Sequence, residues 1–212
     1  YLKNPDYFPG MSKEEEGLEE HAYLYNLFEM ITHRKRDAGK AHIAITMTKF
    51  DLLLNKYEGD PTFDDMKIAL FSTTYGTNQL TPTAPTCVNY IETEQLEIDL
   101  AKSLKDTTID LRVMYIHWGT EYQLHHNAYQ GGVGQWLADL GIDLIIGGHP
   151  HVVQDYEVLT AADGRRVPVM YALGNLISNQ RWENSNGGII TMVDVDRQTK
   201  RVVNIDYIPV YV

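Results

Sequence analysis

Apolar and polar positions alternate between two periods along this chain. Leu111 to Ile116 and Ile142 to Ile146 are short apolar blocks, and between them Val133, Trp136, Leu137 and Leu140 recur at helical spacing. Short apolar runs bounded by Gly or Pro read as buried strands, and a 3.6-residue period reads as an amphipathic helix. Gly141 closes that helix over 130–140. A strand, a crossover helix and a second strand make a parallel, right-handed unit, so both strands end on the same sheet edge. Upstream, Lys67 to Ser72 reads as a strand, followed by a turn at Tyr75-Gly76-Thr77-Asn78 and a Pro/Thr-rich loop through Pro85. A helix then starts at the cap Thr93, with Leu96, Leu100, Ala101 and Leu104 as its apolar stripe. Downstream, Asp163-Gly164 is a hairpin-type turn and Val167 to Tyr171 a strand. Ile189 to Val195 and Val202 to Ile208 form a closing hairpin that turns near Gln198. This alternation predicts an α/β domain over residues 66–212.

Residues 1–65 are patterned differently. Ser12 caps an acidic first turn, and Leu18, Ala22, Tyr25 and Phe28 continue at roughly helical spacing. Arg34-Lys35-Arg36 reads as a helix end or exposed turn, Ala41 to Met47 as a strand, and Glu58 to Pro61 as a turn. The expectation is a divergent, largely helical N-terminal segment.

Composition adds limits. Hydrophobic content of 43% and charged content of 22% suit a globular chain with its own core. The net charge of -11 argues against a nucleic-acid partner, which would need a basic face. With one cysteine, Cys87, the chain forms no internal disulfide and no cysteine-rich zinc site. It has no signal peptide and no apolar run long enough to span a bilayer; because it starts at Tyr1, an export signal or anchor upstream remains an expectation.

The chemistry gathers at the strand ends. The first strand of the β-α-β unit releases His117; the second runs into Gly147-Gly148-His149-Pro150-His151. Open α/β sheets bind ligands outside the carboxyl ends of their strands, and imidazole is the commonest ligand side chain for divalent transition metals. His117, His149 and His151 are therefore the candidate metal ligands. Glu121, four residues after His117, is a ligand, a general base or a carboxylate that orients His117. Asn175 follows another strand end, where it caps a turn or orients a substrate oxygen. Tyr75 and Asn78 stand on a similar loop, His125 and His126 in the polar loop are candidate substrate contacts, and Gln180 with Arg181 suits an anionic substrate.

Three stretches bring a family into view. His117-Trp118-Gly119-Thr120-Glu121-Tyr122, then Gly147 to His151 with Gln154, then Tyr171-Ala172-Leu173-Gly174-Asn175 through Gln180, resemble the bacterial capsule-synthesis CapA family. Tyr75 to Asn78 and Val88-Asn89 are similar to it as well, so the resemblance covers about residues 66–180. It implies a calcineurin-like metallophosphatase sandwich of mixed sheets flanked by helices, with a divalent metal (Mn, Fe or Zn) on His117, His149 and His151. It further implies poly-γ-glutamate capsule synthesis, an extracytoplasmic place in the cell envelope, and partners among an acidic capsule polymer and the membrane subunits of a capsule synthase. The family's early Gly-Asp, Glu and Asn-Asn-His motifs are missing from residues 1–65, which matches an incomplete copy lacking the N-terminal strands.

Two functions from different classes follow. One is a metal-dependent hydrolase or transferase acting on phosphate-ester or γ-glutamyl amide bonds; the other is a non-catalytic subunit that binds or assembles polymer. A third, weaker reading is a GTPase-like fragment, from the Thr-Lys-x-Asp pattern at Thr48 to Asp51. The phosphate-binding Gly-x-x-x-x-Gly-Lys-Ser/Thr loop it would need is not in the chain.

Overall fold

The structure, a computed structural model, describes residues 40–45 as backbone, and residues 66–77, 83, 88–91, 94–176 and 178–211. The expected helix after Ser12, the Thr48–Asp51 pattern, Asn78, Cys87 and the Thr93 cap lie outside those residues. In chain order the elements are β1 (Lys40–Ile45), β2 (Ile68–Thr74), α1 (Glu94–Lys105), β3 (Leu111–His117), α2 (Ala128–Asp139), β4 (Leu144–Gly148), β5 (Tyr156–Thr160), β6 (Arg166–Met170), β7 (Gly187–Asp196) and β8 (Val202–Tyr211).

Two sheets form. The larger has the order β2-β3-β4-β6-β5, and the smaller β1-β7-β8. β2, β3, β4 and β6 pair in parallel, as the β-α-β pattern predicts, while β5 returns antiparallel to β6 through the Asp163-Gly164 turn. The mixed α/β class holds. The strand expected from Ala41 joins the smaller sheet as β1, antiparallel to β7, so this sheet draws on residues before 66.

Side-chain alternation along the strands sorts the core into two layers. Met114, Ile116, Ile145, Val167 and Val169 meet Leu96 and Leu100 of α1 and Val133, Leu137 and Ala138 of α2. On the other face, Leu111, Val113, Leu144, Ile146 and Met170 pack against Val193 and Val195 of β7. The layers are therefore helices, large sheet, small sheet. All five residues of β4 are buried, because it sits between β3 and β6 with both faces covered.

The helices differ from expectation in detail. In α1 only Leu96 and Leu100 of the predicted stripe are buried; Ala101 and Leu104 are exposed. Leu104 instead lies over the end of α2, where a Cβ on Gly141 would meet its Cδ2 at 2.5 Å. Gly141 has φ +107, a conformation natural to glycine, and so stops α2 as expected. α2 starts two residues earlier than the apolar period shows, because Asn127 caps it. Its side chain accepts from Gln130 N at 2.9 Å while Gln130 Oε1 accepts from Asn127 N at 3.1 Å. Gln130 is fully buried, and its Nε2 donates to Gln154 Oε1 at 2.9 Å. Gln154 Nε2 in turn donates to the carbonyls of Gln123 and His125. This amide pair holds the 119–127 loop, and with it Glu121, against the strand ends.

Candidate metal centre

β3 ends at His117 and β4 runs out at Gly148, side by side in register, so their exit loops share one edge. Gly147 makes this edge possible. A Cβ there would stand 2.0 Å from the carbonyl oxygen of Tyr171 and 2.4 Å from Trp118 Nε1. Those two groups bond each other at 2.9 Å. Trp118 and Tyr171 are fully buried and stack at 5.6 Å, a rigid floor beneath the exit loops. Trp118 N donates to Gly148 O, and Tyr122 N to Pro150 O, which ties the Glu121 loop to the histidine loop.

His149 and His151 both have positive φ, 101 and 61 degrees. That region is sparsely used by non-glycine residues, and each such residue holds about 1–3 kcal/mol of local strain. The strained turn brings three donors together. Ligand atoms of Glu121, His149 and His151 all lie within 4.8 Å of one another. Glu121 Oε1 is 3.8 Å from His151 Nε2. His117 is adjacent but outside this trio. Its ring lies 4.6 Å from that of His149 and is stacked on Tyr75 at 5.7 Å with an interplanar angle of 6°. Tyr75 also contacts the His149 ring at 4.8 Å, so it walls one side of the cluster. Tyr122 walls the other, stacked on His151 at 6.0 Å and backed by the exposed Trp182 at 5.8 Å.

Burial lowers the pKa of both His117 and His149 below the ordinary imidazole value. For His117 the neighbouring His149 and His151 add to the lowering and Glu121 opposes it; for His149, Glu121 again opposes and His151 adds. Neutral imidazole is the form that binds a metal.

Asn175 is drawn to His151. It is buried, and its Oδ1 lies 3.0 Å from His151 Nδ1. Its Nδ2 donates to the Ser185 carbonyl at 2.8 Å and to Gln180 Oε1 at 3.2 Å. A backbone carbonyl can only accept, so the amide nitrogen must face Ser185 and the amide oxygen must face His151. His151 therefore carries a proton on Nδ1, which makes Nε2, on the Glu121 side, the nitrogen available to a metal. Orientation of this kind by an outer hydrogen-bond partner raises the value of the inner ligand. Gln180 likewise reaches Asn175.

His125 and His126 are drawn elsewhere. His125 Nδ1 bonds Asp155 Oδ1 at 2.9 Å, and His126 Nδ1 bonds Asp155 Oδ2 at 3.0 Å. The His126 ring stacks on Tyr171 at 3.8 Å, and Tyr171 donates from its hydroxyl to Glu157. Burial would raise the Asp155 pKa, but bonds from His125 and from the backbone and ring of His126 outweigh it and hold the carboxyl at about 2. A depressed carboxyl stabilises the fold above its unfolded value near 4 and loses that contribution as pH falls toward 2. Asp155→Asn is thus expected to lower stability in urea unfolding at pH 6, by about 1 kcal/mol for a partly exposed pair. The gap to the wild type should narrow between pH 4 and pH 2; a gap independent of pH would refute this role.

A family profile described as bacterial capsule synthesis protein PGA_cap matches residues 35–180. The chain belongs to that family. Within the PGA_cap match lie all of the candidate ligands, both aromatic walls up to Tyr122, and Asn175. The capsule biosynthesis protein CapA of Bacillus anthracis is 35% identical over 86 residues, 41% of this chain and 20% of that protein. The PGA biosynthesis protein CapA of Bacillus subtilis (strain 168) is 36% identical over 73 residues, 34% of this chain and 18% of that protein. The matched stretches thus span about a fifth of these relatives. Among solved structures, a phosphatase from Mycoplasma pneumoniae aligns with 81% of this chain and 57% of its own, at a TM-score of 0.43 and 14% identity. A hypothetical protein from Thermus thermophilus aligns with 68% of this chain and 57% of its own, at a TM-score of 0.40 and 12% identity. Among the described residues no helix is long and apolar enough to cross a membrane.

Sequence reasoning missed Gln130, Asp155, Trp182 and Ser185. Only Gln130 had a signal, the Asn-x-x-Gln pattern of a capping box at Asn127.

Proposed function

We propose that this chain is the metal-holding part of a capsule-polymer biosynthesis protein, acting as a hydrolase or transferase on a phosphate-ester or γ-glutamyl amide bond. The observation that carries the proposal is the Glu121–His149–His151 donor trio, with His151 held in the tautomer that presents Nε2. Two imidazoles and a carboxylate suit Mn, Fe or Zn. A divalent ion bound there supplies a Lewis acid and a water of lowered pKa. Glu121, His149 and His151 would hold that ion, Asn175 fixes His151, and His117 beside His149 would exchange a proton with a bound substrate. Tyr75 and the Tyr122–Trp182 pair confine the substrate laterally. The acidic polymer itself, an extracytoplasmic site at the envelope, and synthase subunits as partners come from the CapA resemblance.

The test uses the full chain after chelator dialysis. Adding Mn, Fe or Zn at about a hundred times its Kd is expected to stabilise the fold by about 2.7 kcal/mol. For a chain of this size that raises Tm by roughly 5–10 °C. The metal-loaded protein should release product from a model phosphomonoester or a γ-glutamyl anilide. Metal binding without release from either would favour the polymer-binding reading, and no thermal shift with any of the three ions would overturn the metal site.

A further inference from the structure

The opposite pole of the large sheet holds a pocket of basic lining. Arg112 and His117 lie near opposite ends of β3, about 17 Å apart at the usual strand rise. Around Arg112 the starts of β3 and β6 meet the β7–β8 turn in a pocket of about 160 Å³, room for roughly five water volumes. Its lining carries five basic side chains, Arg112, Arg165, Arg166, Lys200 and Arg201, against two carboxylates, Asp110 and Asp143. In a chain of net charge -11, this local reversal of sign stands out.

The two carboxylates are already engaged. Asp143 accepts from Arg165 Nη1 at 3.0 Å and from Arg112 N at 2.9 Å. Arg165 spends its other donors on Asp163 and on the carbonyls of Ile142 and Ala138. Asp110 accepts from Lys67 N and lies 3.8 Å from Lys200 Nζ. Among the described residues the Arg112 guanidinium bonds only the carbonyls of Ser103 and Asp106, and its buried Nε has no acceptor. Arg166 and Arg201 are exposed, and no carboxylate among the described residues pairs with either. Arg112, Arg166 and Arg201 thus line one concavity, and among the described residues no carboxylate bonds their guanidinium groups. Guanidinium is a planar fork that matches the oxygens of phosphate or carboxylate in pairs.

We infer that this pocket binds a small oxyanion, phosphate or carboxylate in type, held by Arg166, Arg201 and the field of Arg112, on the pole away from the Glu121–His149–His151 cluster. The proposal does not depend on the activity proposed above.

Calorimetric titration of the metal-free full chain with inorganic phosphate, and separately with glutarate, tests it at low ionic strength. At least one of the two is expected to bind, and the tighter one names the group. Arg166→Gln/Arg201→Gln should weaken binding at least tenfold, and Arg201→Lys, which keeps the charge but loses the fork, should weaken it less than the double variant does. Circular dichroism checks that each variant is folded. His149→Ala/His151→Ala should bind the anion as the wild type does. Absence of binding in the wild type, undiminished binding in the arginine double variant, or loss in the histidine double variant would each overturn the assignment.

Discussion

Gly147→Ala is expected to be the most destabilising single-methyl change in the described fold. The added carbon would sit 2.0 Å from the Tyr171 carbonyl oxygen and 2.4 Å from Trp118 Nε1. Neither can step aside cheaply. The carbonyl belongs to the backbone just past β6, which is paired to β4 through Ile146 and Met170, and the indole is fully buried. Relief requires parting the Trp118–Tyr171 hydrogen bond and shifting β4 off its neighbour. Overpacking of this kind costs about 1–3 kcal/mol and a broken buried hydrogen bond a further 1–3, so a loss of about 4 kcal/mol is expected. Tm should fall by roughly 8–16 °C. Gly132→Ala is the control, because a Cβ there meets nothing within 4 Å and alanine suits the interior of α2. It should leave stability unchanged or raise it by about 0.5–1 kcal/mol. If the two variants melted within about 2 °C of each other, the tight packing under the exit loops would be disproved.

The second large effect is on metal affinity, and it is graded. His151→Ala removes one of three donors and should weaken binding of Mn or Zn by more than about 100-fold. Asn175→Ala leaves every donor in place but frees His151 Nδ1 from its acceptor, so a loss of about 10–100-fold is expected. Gln180→Ala removes only a partner of Asn175 Nδ2, which keeps the Ser185 carbonyl, and should change affinity less than either. Competition against a chelating dye measures all three, with Tm of the metal-free proteins measured alongside. A purely structural Asn175 would lower the metal-free Tm and leave affinity alone; that pattern, or any reversal of the order, counts against the tautomer argument.

Much of the edge was legible because it depends on local signals. A buried apolar block that stops at Gly147-Gly148 announces both the end of β4 and the start of a loop, and the β-α-β order alone puts His117 beside it. Positions of strands survive such reading because two-sided burial demands unbroken apolar runs. What the pattern left open was which donors converge. His117 is on the shared edge, yet the turn at His149 and His151 swings their rings toward Glu121, and positive φ at a non-glycine residue leaves no trace in sequence. Asn175 and Asp155 show the same limit. Asn175 is bonded to His151, and Asp155 to His125 and His126, each contributed by another loop. Those partners are distant in the chain and are settled by tertiary packing, not by spacing. The exposure of Ala101 and Leu104 has a simpler cause, since only one narrow side of α1 reaches the sheet.

The bond from Asn175 to the Ser185 carbonyl carries an implication for sequence drift. The group that dictates which nitrogen of His151 holds the proton belongs to the main chain, so it is supplied whatever amino acid occupies position 185. Selection acting on the cluster would bear on the course of the backbone there, anchored where Asn175 N donates to Gly187 O, more than on the Ser185 side chain. Relatives could therefore vary at 185 and keep the same protonation pattern, whereas an insertion or deletion between Asn175 and Gly187 would move the carbonyl and scramble it.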